Sequence, residues 1–388
     1  MHSSSLIGHT QELLGVILQS KKPADVLMDT FFRAHKYLGS HDRKFVSEKT
    51  YGTLRHLRKC GLLVSAVTEE LHETVGEEDN ILLMVAAYVC VQEQRREITP
   101  EDISSKLKNS RLQEKMDHIF QFFSKPVPGR SETTATRIGV EHSFPDWMVQ
   151  KFIEQFGELE AEKICASLNE VAPITLRVNT LKATVEQCQA ELRKQGIETT
   201  PTHWSPFGLQ LSKRINVFSV PTFREGWFEV QDEGSQLLPV FMDPKPNAKL
   251  LDVCAGAGGK TLEFAALMKN RGEIFATDIN SFRLEELRKR TKRAGVQNVR
   301  VQHIESIEDL LERYSLFFDV VFVDAPCSGV GTIRRNPGMK WMVTEQTVAE
   351  VSEKQRSILH ASAQLVKPGG RLVYATCTLL KQENEDTV

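Results

Sequence analysis

The stretch that decides the fold is DVCAGAGGKT, Asp252–Thr261. It ends an apolar run, KLLDVCA, and opens a helical segment, KTLEFAALMKN, and its glycines let the backbone approach a ligand closely. A phosphate-binding loop, G-x-x-x-x-G-K-[ST], would need glycine at the position of Cys254. The dinucleotide pattern G-x-G-x-x-G would need glycine in place of Thr261. The turn therefore fits neither an NTPase nor a classical dinucleotide site.

The segments after this turn alternate between strand and helix patterns. Short apolar runs EIFATDI, VRVQHIE, FDVVFVDAP and GRLVYATCT follow, the early ones separated by helical stretches. This alternation predicts a parallel, doubly wound sheet of five strands. Ligands of such sheets lie beyond the carboxyl ends of the strands. The residues at those ends are Cys254–Gly259, Asp278, Glu305, Asp324–Cys327 and Thr376–Thr378.

The acidic residues at these strand ends indicate which ligand the turn binds. Asp278 ends the second strand, where a carboxylate suits the two hydroxyls of a ribose. Glu305 follows the third strand and suits a contact near adenine, although an exposed loop acid is the alternative there. Together with the glycine-rich first turn, this layout predicts an S-adenosylmethionine site in a Rossmann-like domain.

Two cysteines, Cys327 in DAPCSG and Cys377 in ATCTLLKQENE, end the fourth and fifth strands. A buried cysteine is usually a small apolar residue, and Cys254 is expected to pack the loop in that way. The other two lie where this fold presents chemistry. A thiol is a strong nucleophile, suited to attack on carbon 6 of a cytosine ring. The residues alone do not rank the two cysteines.

The rest of the chain divides into three predicted domains, 1–128, 140–235 and 236–388. Residues from about 6 to 125 show helical periodicity, and the run ILLMVAAYVCV (Ile81–Val91) is too short to span a bilayer, which predicts a buried core helix. Ser124–Arg137 has the composition of a linker. Phe144–Leu168 is again helical, and ITLRVNTL and GLQLS predict strands of a small α/β module.

Bulk composition limits the classes of function. Among 388 residues, 49 Lys and Arg against 51 Asp and Glu give a net charge of −2, which excludes a global positive field for nucleic acid. Seven scattered cysteines without a CxxC indicate neither disulfides nor a metal site. We expect a cytoplasmic monomer with reduced thiols, no secretory signal and no membrane association.

Any RNA contact must therefore come from local basic patches. One lies between Phe31 and Cys60, a second in Arg283–Arg293, and a third at Arg334 and Arg335. The individual candidates for phosphate contacts are Arg43, Lys44, Arg55, Arg334 and Arg335. The alternative is that these charges form solvated faces.

The chain resembles the RsmB/Sun family of RNA cytosine-5 methyltransferases. The segments that carry the resemblance are DVCAGAGGKT, FVDAPCSGVGTIRRNP, YATCTLLKQENE, ITLRVNTLK and WFEVQDEGSQL. The N-terminal HDRKFVSEKTYGTLRHL resembles the NusB-type helical RNA-binding domain of one branch. The resemblance implies an all-α NusB-like domain, a small α/β RNA-binding module and a Rossmann-like catalytic domain that methylates carbon 5 of a cytosine in small-subunit rRNA.

The family also implies roles for individual residues. Cys377 would be the nucleophile, Cys327 would help release the methylated RNA, and Asp324 would lie near the target base and the cofactor. DNA cytosine methyltransferases use the other cysteine, so this order depends on the resemblance. The implied cofactor-binding residues are Cys254, Ala255, Gly256, Ala257, Gly258, Gly259, Lys260, Asp278, Glu305 and Asp324.

Three departures from the family pattern are visible. Gly256-Ala257 stands where the family has Ala-Pro, which predicts a more flexible turn. Glu305 replaces the usual Asp. The chain stops eleven residues after Cys377, so we expect a C-terminally incomplete catalytic domain with one exposed sheet edge. The rival hypothesis is a non-catalytic RNA-binding or ribosome-assembly factor with a decayed methyltransferase domain.

Overall fold

The computed structural model describes residues 1–92, 98–126 and 133–388. Its described residues form two compact units. The helical unit is Met1–Val171 with Gly329–Glu345, and the α/β unit is Ala172–Ser328 with Gln346–Val388. The three domain boundaries predicted above remain a prediction, since compactness groups the small module with the catalytic sheet.

Helices precede the first strand, as predicted from the periodicity. They are α1 (Ser3–Gln19), α2 (Ala24–Ala34), α3 (Ser40–Arg55), α4 (Leu57–Leu71), α5 (Glu77–Gln92), α6 (Pro100–Ser104), α7 (Ser110–Glu114), α8 (Met116–Phe123), α9 (Thr134–Glu141), α10 (Asp146–Phe156) and α11 (Glu158–Leu168). Helix α5 contains the apolar run, and its Leu82, Leu83 and Val85 are fully buried. It is apolar on all sides because it lies inside the helical core. The prediction of a core helix is confirmed.

The predicted linker needs a correction at its end. Residues 127–132 lie outside the described residues, but α9 already begins at Thr134, with the Thr133 hydroxyl accepting a hydrogen bond from Thr136 N. Threonine is a favoured N-cap because its side-chain oxygen satisfies a free amide of the first turn. The threonines that indicated a linker therefore include a helix start.

A small antiparallel sheet opens the α/β unit. Its elements are β1 (Thr175–Val178), α12 (Val185–Lys194), β2 (Thr199–Pro201), β3 (Gly208–Leu211), α13 (Pro221–Arg224) and β4 (Phe228–Val230), and the strand order is β2-β3-β1-β4. The strands predicted at ITLRVNTL and GLQLS are β1 and β3. Strands β2 and β4 have three residues each, too few to show a period-two pattern.

The second sheet has five parallel strands, as predicted. The remaining elements are α14 (Glu233–Met242), β5 (Lys249–Asp252), α15 (Gly259–Leu267), β6 (Glu273–Asp278), α16 (Ser281–Ala294), β7 (Val299–His303), α17 (Leu311–Tyr314), β8 (Phe318–Asp324), α18 (Met339–Met342), α19 (Glu345–Ala363) and β9 (Val366–Ala375). Successive residues alternate between two apolar clusters, for example Leu250 with Phe322 and Leu251 with Val321. Both faces of the central strands are therefore buried, as in other parallel sheets, while the edge strands β7 and β9 are more exposed.

The strand order β7-β6-β5-β8-β9 determines where a ligand can bind. The chain moves outward from β5 to β7 and then returns to the other side of β5 with β8. This is the switch point at which parallel sheets open a crevice at their carboxyl ends. Asp324 lies opposite Ala375 in the β8–β9 pair, so the segments after these two strands leave the sheet side by side. No helix in the described ranges is long and apolar enough to cross a bilayer.

Candidate active site

The glycine-rich turn between β5 and α15 has a conformation that needs its glycines. Gly256 and Gly258 have φ angles of 55° and 82°, in the left-handed region. A Cβ on Gly258 would collide with the Leu287 side chain, whereas a Cβ on Gly256 would meet nothing within 4 Å. The absence of a side chain at Gly258 thus lets the turn pack against α16, whereas the space beside Gly256 is free of protein atoms.

Asp278, at the end of β6, is coupled directly to this turn. Its side chain is 7% exposed, and its two carboxylate oxygens accept hydrogen bonds from Gly256 N at 2.8 Å and Asn280 N at 2.7 Å. A carboxylate offers about four lone-pair positions, so it can still accept from a ligand. The structure brings together the first two elements of the predicted cofactor site.

Asp252 and Cys254 lie beneath the turn. The Asp252 carboxylate is buried and accepts from the Thr261 hydroxyl at 2.6 Å, and burial raises its pKa to about 7. Burial also raises the pKa of the Cys254 thiol to about 12, with the negative charge of Asp278 adding to the shift. Cys254 is therefore a protonated packing residue, as its position in the loop suggested.

Lys260 connects the turn to the end of β8. Its Nζ donates to Asp324 Oδ2 at 2.5 Å, and the two side chains are 15% and 32% exposed. The cation neutralises and orients a carboxylate that stays accessible at the edge of the sheet. Asp324 therefore offers an accessible hydrogen-bond acceptor at the end of β8.

The two predicted cysteines are neighbours. Cys327 Sγ and Cys377 Sγ are 3.1 Å apart, and the Cys377 amide donates to Cys327 Sγ at 3.3 Å. Cys377 is exposed and Cys327 partly so. The hydrogen bond with Cys327 raises the pKa of the Cys377 thiol, and burial and the nearby charge of Asp324 raise it further. At neutral pH the Cys377 thiol is therefore protonated.

A buried glutamate that the sequence analysis did not single out holds both cysteine-bearing segments. Glu383 is fully buried, and its carboxylate accepts from Ser328 N at 2.7 Å, Ser328 Oγ at 2.5 Å and Gln355 Nε2 at 3.2 Å. Ser328 Oγ also lies 3.1 Å from Thr378 Oγ1. Because Ser328 follows Cys327 and Thr378 follows Cys377, Glu383 fixes the separation of the two thiols. Glu383 lies in the KQENE segment, but nothing in the neighbouring residues of that segment indicates that it is buried.

Arg177 of β1 supports the glycine-rich turn from the small sheet. It is 3% exposed, and its Nη1 donates to Gly259 O at 2.5 Å, to Glu263 Oε2 at 3.1 Å and to Gln231 Oε1. A buried guanidinium of this kind fixes the start of α15 relative to the small sheet. The ITLRVNTLK segment was quoted for its likeness to a family, and this contact gives the physical role of its arginine.

Comparison with known proteins agrees with this geometry. Residues 239–388 match the family model for 16S rRNA methyltransferase RsmB/F, and residues 144–218 match the ferredoxin-like domain of RsmF/B-like methyltransferases. A probable ribosomal RNA small subunit methyltransferase B from Synechocystis sp. is 31% identical over 93% of this chain and 83% of its own length. The chain belongs to the RsmB/F family of 16S rRNA methyltransferases.

Further relatives and solved structures cover the same region of the chain. Ribosomal RNA small subunit methyltransferase B of Proteus mirabilis is 28% identical over 91% of this chain and 84% of its own. The crystal structure of the protein PH0851 superimposes with a TM-score of 0.78 and 27% identity, covering 100% of this chain and 88% of that one. A methyltransferase homologue from Pyrococcus horikoshii gives a TM-score of 0.59 and 32% identity, covering 66% and 81%.

Membership of the RsmB/F family makes the protein an S-adenosylmethionine-dependent rRNA methyltransferase, so the predicted family and cofactor are confirmed. The residues present fit this cofactor, because the turn is open at Gly256 and Asp278 retains free lone pairs. The carboxylates around the turn favour a ligand that carries a positive charge. The binding roles of the individual residues remain predictions.

Two features of the predicted cofactor site differ from simple expectation. The flexible Gly256-Ala257 turn is braced, because Arg290 Nη1 donates to Ala257 O at 2.7 Å. The side chain of Glu305 is 89% exposed and lies past the end of β7, with His303 Nδ1 3.9 Å from its carboxylate. Its proposed contact with adenine is therefore not preorganised by hydrogen bonds within this site.

Several basic residues suggested for RNA are engaged within the protein. Arg290 and Arg293 both donate to Glu229, so these two members of the Arg283–Arg293 patch brace the α/β unit. Arg55 is 9% exposed and its Nη2 donates to Arg334 O at 3.1 Å. In both cases, a basic side chain that the sequence suggested for a phosphate contact makes its hydrogen bonds within the protein.

The other candidates lie at the surface. Arg334 donates to Glu170 at 2.6 Å, and Arg335 is exposed beside it. Lys44 is exposed 3.9 Å from Glu48, while the Arg43 Nε donates to Leu38 O at 2.9 Å. Exposed pairs of this kind contribute little to stability, so phosphate contacts by these residues remain a prediction.

Proposed function

We propose that this protein methylates carbon 5 of a cytosine in small-subunit rRNA through a covalent bond between Cys377 and the RNA. The observation that carries the proposal is the pair of thiols 3.1 Å apart at the ends of neighbouring strands β8 and β9. Cytosine C5 is a weak nucleophile, and addition of a thiolate to C6 makes it reactive. An enzyme that acts on an oxygen or an exocyclic nitrogen has no need for such a pair.

The chemistry assigns a separate role to each thiol. Cys377 Sγ, once deprotonated, bonds to C6, and the electron pair of the C5–C6 double bond makes C5 nucleophilic. The bound cofactor supplies an electrophilic methyl group on its sulfonium centre. A base, the role implied for Cys327, then takes the C5 proton; the C–H electron pair restores the C5–C6 double bond and the Cys377–C6 bond breaks, with its electron pair returning to Cys377 as thiolate. Cys327 lies close enough to assist this release, the role that the family pattern implies.

Asp324 and Lys260 supply the recognition of the base. A carboxylate accepts a hydrogen bond from the cytosine amino group, and Lys260 holds Asp324 in place at 2.5 Å. Carbon 6 is shielded inside a stacked helix, so the target must be unpaired or flipped out of the helix. An rRNA substrate also agrees with the cytoplasmic location expected from the sequence.

The test is a denaturing gel of the protein incubated with S-adenosylmethionine and unmodified small-subunit rRNA. In the Cys327→Ala variant, release is blocked and a covalent protein–RNA band should accumulate. In Cys377→Ala no such band should form. Cys90→Ala removes a partly buried thiol of the helical unit and should behave as the wild type.

Each contrary outcome has a definite meaning. A band in Cys377→Ala but none in Cys327→Ala would exchange the roles of the two cysteines. Methyl transfer to RNA without an adduct in any variant would contradict the covalent mechanism and leave the methyltransferase assignment standing. Cofactor binding without methyl transfer would favour the assembly-factor hypothesis.

A further inference from the structure

A cluster of metal-ligand residues lies in the helical unit, apart from the residues assigned to methyl transfer. His9 and Glu12 stand three positions apart on α1, so they share one face of that helix. His35 caps the carboxyl end of α2. The ligand atoms of these three residues lie within 4.8 Å of one another.

The distances suit a small tetrahedral cation. Glu12 Oε2 is 3.7 Å from His9 Nδ1 and 3.8 Å from His35 Nε2. Zinc ligands bind at about 2.0–2.2 Å, and the tetrahedral angle then separates them by roughly 3.3 Å. All three ligand atoms lie within 4.8 Å of one another, so side-chain movements of up to about 1 Å would complete the geometry. The histidines are 16% and 20% exposed and the glutamate 53%, which leaves room for water as a fourth ligand.

The second nitrogen of each imidazole already has a hydrogen-bond partner. His35 Nδ1 donates to Phe31 O at 2.9 Å, which leaves Nε2 with its lone pair directed at Glu12. His9 Nε2 lies 3.3 Å from the Tyr37 hydroxyl, which leaves Nδ1 facing the same carboxylate. Outer partners of this kind fix the tautomer and orientation of metal-binding histidines. They are an independent indication that the three ligand atoms are arranged for a cation.

A second cluster in the helical unit shows the contrast. Glu141, His142 and Glu162 also lie close together, but Arg137 donates to both carboxylates at 3.0–3.3 Å. A guanidinium already supplies the positive charge there. Among the described contacts of His9, Glu12 and His35, none comes from a lysine or arginine.

We propose that His9, Glu12 and His35 bind a zinc ion that joins α1 to the end of α2. Two imidazole nitrogens and one carboxylate are a ligand set that zinc commonly takes, with water in the fourth position. The sequence analysis predicted no metal because it looked for paired cysteines. The site instead combines a His-x-x-Glu spacing on one helix with a histidine that terminates the next.

The test uses the full-length protein without a histidine tag, stripped with EDTA and dialysed. Zinc binding is measured by calorimetry, and Co²⁺ serves as a spectroscopic probe. A Co²⁺ site of nitrogen and oxygen ligands gives visible bands without the near-ultraviolet charge-transfer absorption of a thiolate. Repeating the titration with Cys327→Ser/Cys377→Ser excludes binding at the catalytic thiols.

The variants separate ligation from folding. Tyr37→Phe removes a hydrogen-bond partner of His9 and should weaken zinc binding by about tenfold, because loss of such a partner typically costs roughly 10–100-fold. His35→Gln and Glu12→Gln each remove a zinc ligand and should weaken binding by more than roughly 100-fold. His118→Gln is the matched control, because His118 faces the single carboxylate of Glu70 at 2.9 Å. Since the Glu12 carboxylate is half exposed, its variant keeps the test decisive if His35→Gln misfolds.

Zinc should raise the melting temperature of the wild type and of His118→Gln, because a ligand that binds the folded state stabilises it. Equal zinc affinity in wild type, Glu12→Gln and His35→Gln would overturn the proposal. The proposal would also be overturned if Co²⁺ gave a thiolate charge-transfer band in the wild type and if Cys327→Ser/Cys377→Ser lost both that band and all zinc binding.

Discussion

The helical unit and the α/β unit differ in what their buried charged residues contact. In the helical unit, Lys340 is fully buried and Arg55 is 9% exposed. In the α/β unit, the buried groups include Asp252, Glu263 and Asp278, at 1–7% exposure. The glutamate is paired with Arg177, but the two aspartates lie around the glycine-rich turn.

The partners of these groups explain the difference. Lys340 Nζ donates to Arg55 O at 2.9 Å, Ser143 O at 3.0 Å and Asn169 Oδ1 at 2.5 Å, and lies over the Phe144 ring. It therefore connects several segments of the helical unit through neutral acceptors. Asp252 and Asp278 instead lie around the turn that is predicted to bind a cofactor with a positive charge. Buried charge has a structural role at Lys340, as it does at Arg177 and Glu383 of the α/β unit.

Replacing Lys340 should cause the largest loss of stability. Lys340→Met keeps the length of the side chain but leaves several buried acceptors without a donor, and each costs about 1–3 kcal/mol. We expect the free energy of unfolding to fall by roughly 3 kcal/mol or more, measured by urea denaturation. Lys163→Met changes an exposed lysine of the same unit and should cost less than about 0.5 kcal/mol. A similar small loss in both variants would contradict the structural role of Lys340.

Asp252→Asn should remove a pH dependence of the α/β unit. Burial raises the pKa of this carboxyl from 3.8 to about 7, so the folded state binds the proton more tightly than the unfolded state. The resulting stabilisation is complete below pH 4 and is lost as the pH rises from 4 to 7. The matched amide carries no charge, so above pH 7 the variant should be more stable by up to about 4 kcal/mol.

Denaturant titrations of this variant between pH 5 and pH 8 would measure the change. The groups that influence Asp252 are Thr261, Asp324, Lys260 and Asp278. Glu285→Gln alters an exposed carboxylate of α16 and should retain the wild-type slope. A wild-type slope in Asp252→Asn would show that this carboxylate is ionised in the folded protein at pH 5.

His56 should give the helical unit a pH dependence of the opposite sign. Burial lowers the pKa of its imidazole from 6.5 to about 3, and the charge of Lys340 adds to the shift. The other charged or titratable groups that act on it are Arg55, Lys59 and His142. Below pH 6.5 the unfolded chain takes up a proton that the folded protein rejects, so stability falls with pH down to about 3.

At pH 5 this contribution amounts to about 2 kcal/mol relative to pH 7. His56→Gln should lose that part of the acid sensitivity, and His118→Gln, at an exposed histidine, should keep it. Equal acid sensitivity of all three proteins would mean that His56 is accessible to protons in the folded state.

The sequence predicts the parts of the site that lie at strand ends. Asp278, Asp324, Cys327 and Cys377 follow apolar runs, and parallel strands bring such positions to one edge. The register of β8 with β9 then places the two cysteines together. This part of the prediction needs only the apolar runs in the sequence and the rule that the carboxyl ends of parallel strands meet at one edge of the sheet.

What the sequence did not predict depends on contacts between distant segments. Glu383 reads as one acid among several in KQENE, and Lys340 as one cation near RRNPGMK, because nothing in their neighbours shows that they are buried. Arg177 lies in the ITLRVNTLK segment, but its partners Gly259 and Glu263 come from α15, 82 and 86 positions further along the chain. Tertiary packing determines these roles, because a charged side chain that is buried away from water must find hydrogen-bond partners within the protein.

The smallest predicted effect concerns the pKa of the Cys377 thiol, which determines how much reactive thiolate is present at a given pH. The hydrogen bond with Cys327 is the main cause of the raised pKa, ahead of burial and of Asp324. Cys327→Ala removes a bond of roughly 0.5–1.5 kcal/mol, which corresponds to about two- to tenfold more thiolate at pH 8.

Iodoacetamide alkylation of Cys377, followed by peptide mass spectrometry between pH 7 and pH 9, should therefore become faster by that factor in Cys327→Ala. Cys254, with its pKa raised to about 12, is the internal control and should stay slow in both proteins. Slower alkylation of Cys377 in the variant would mean that Cys327 accepts the proton of its neighbour. In that case Cys327 would both activate Cys377 and assist release of the RNA. The Cys327→Ala variant would then form the covalent protein–RNA band slowly and would also fail to release the RNA from it.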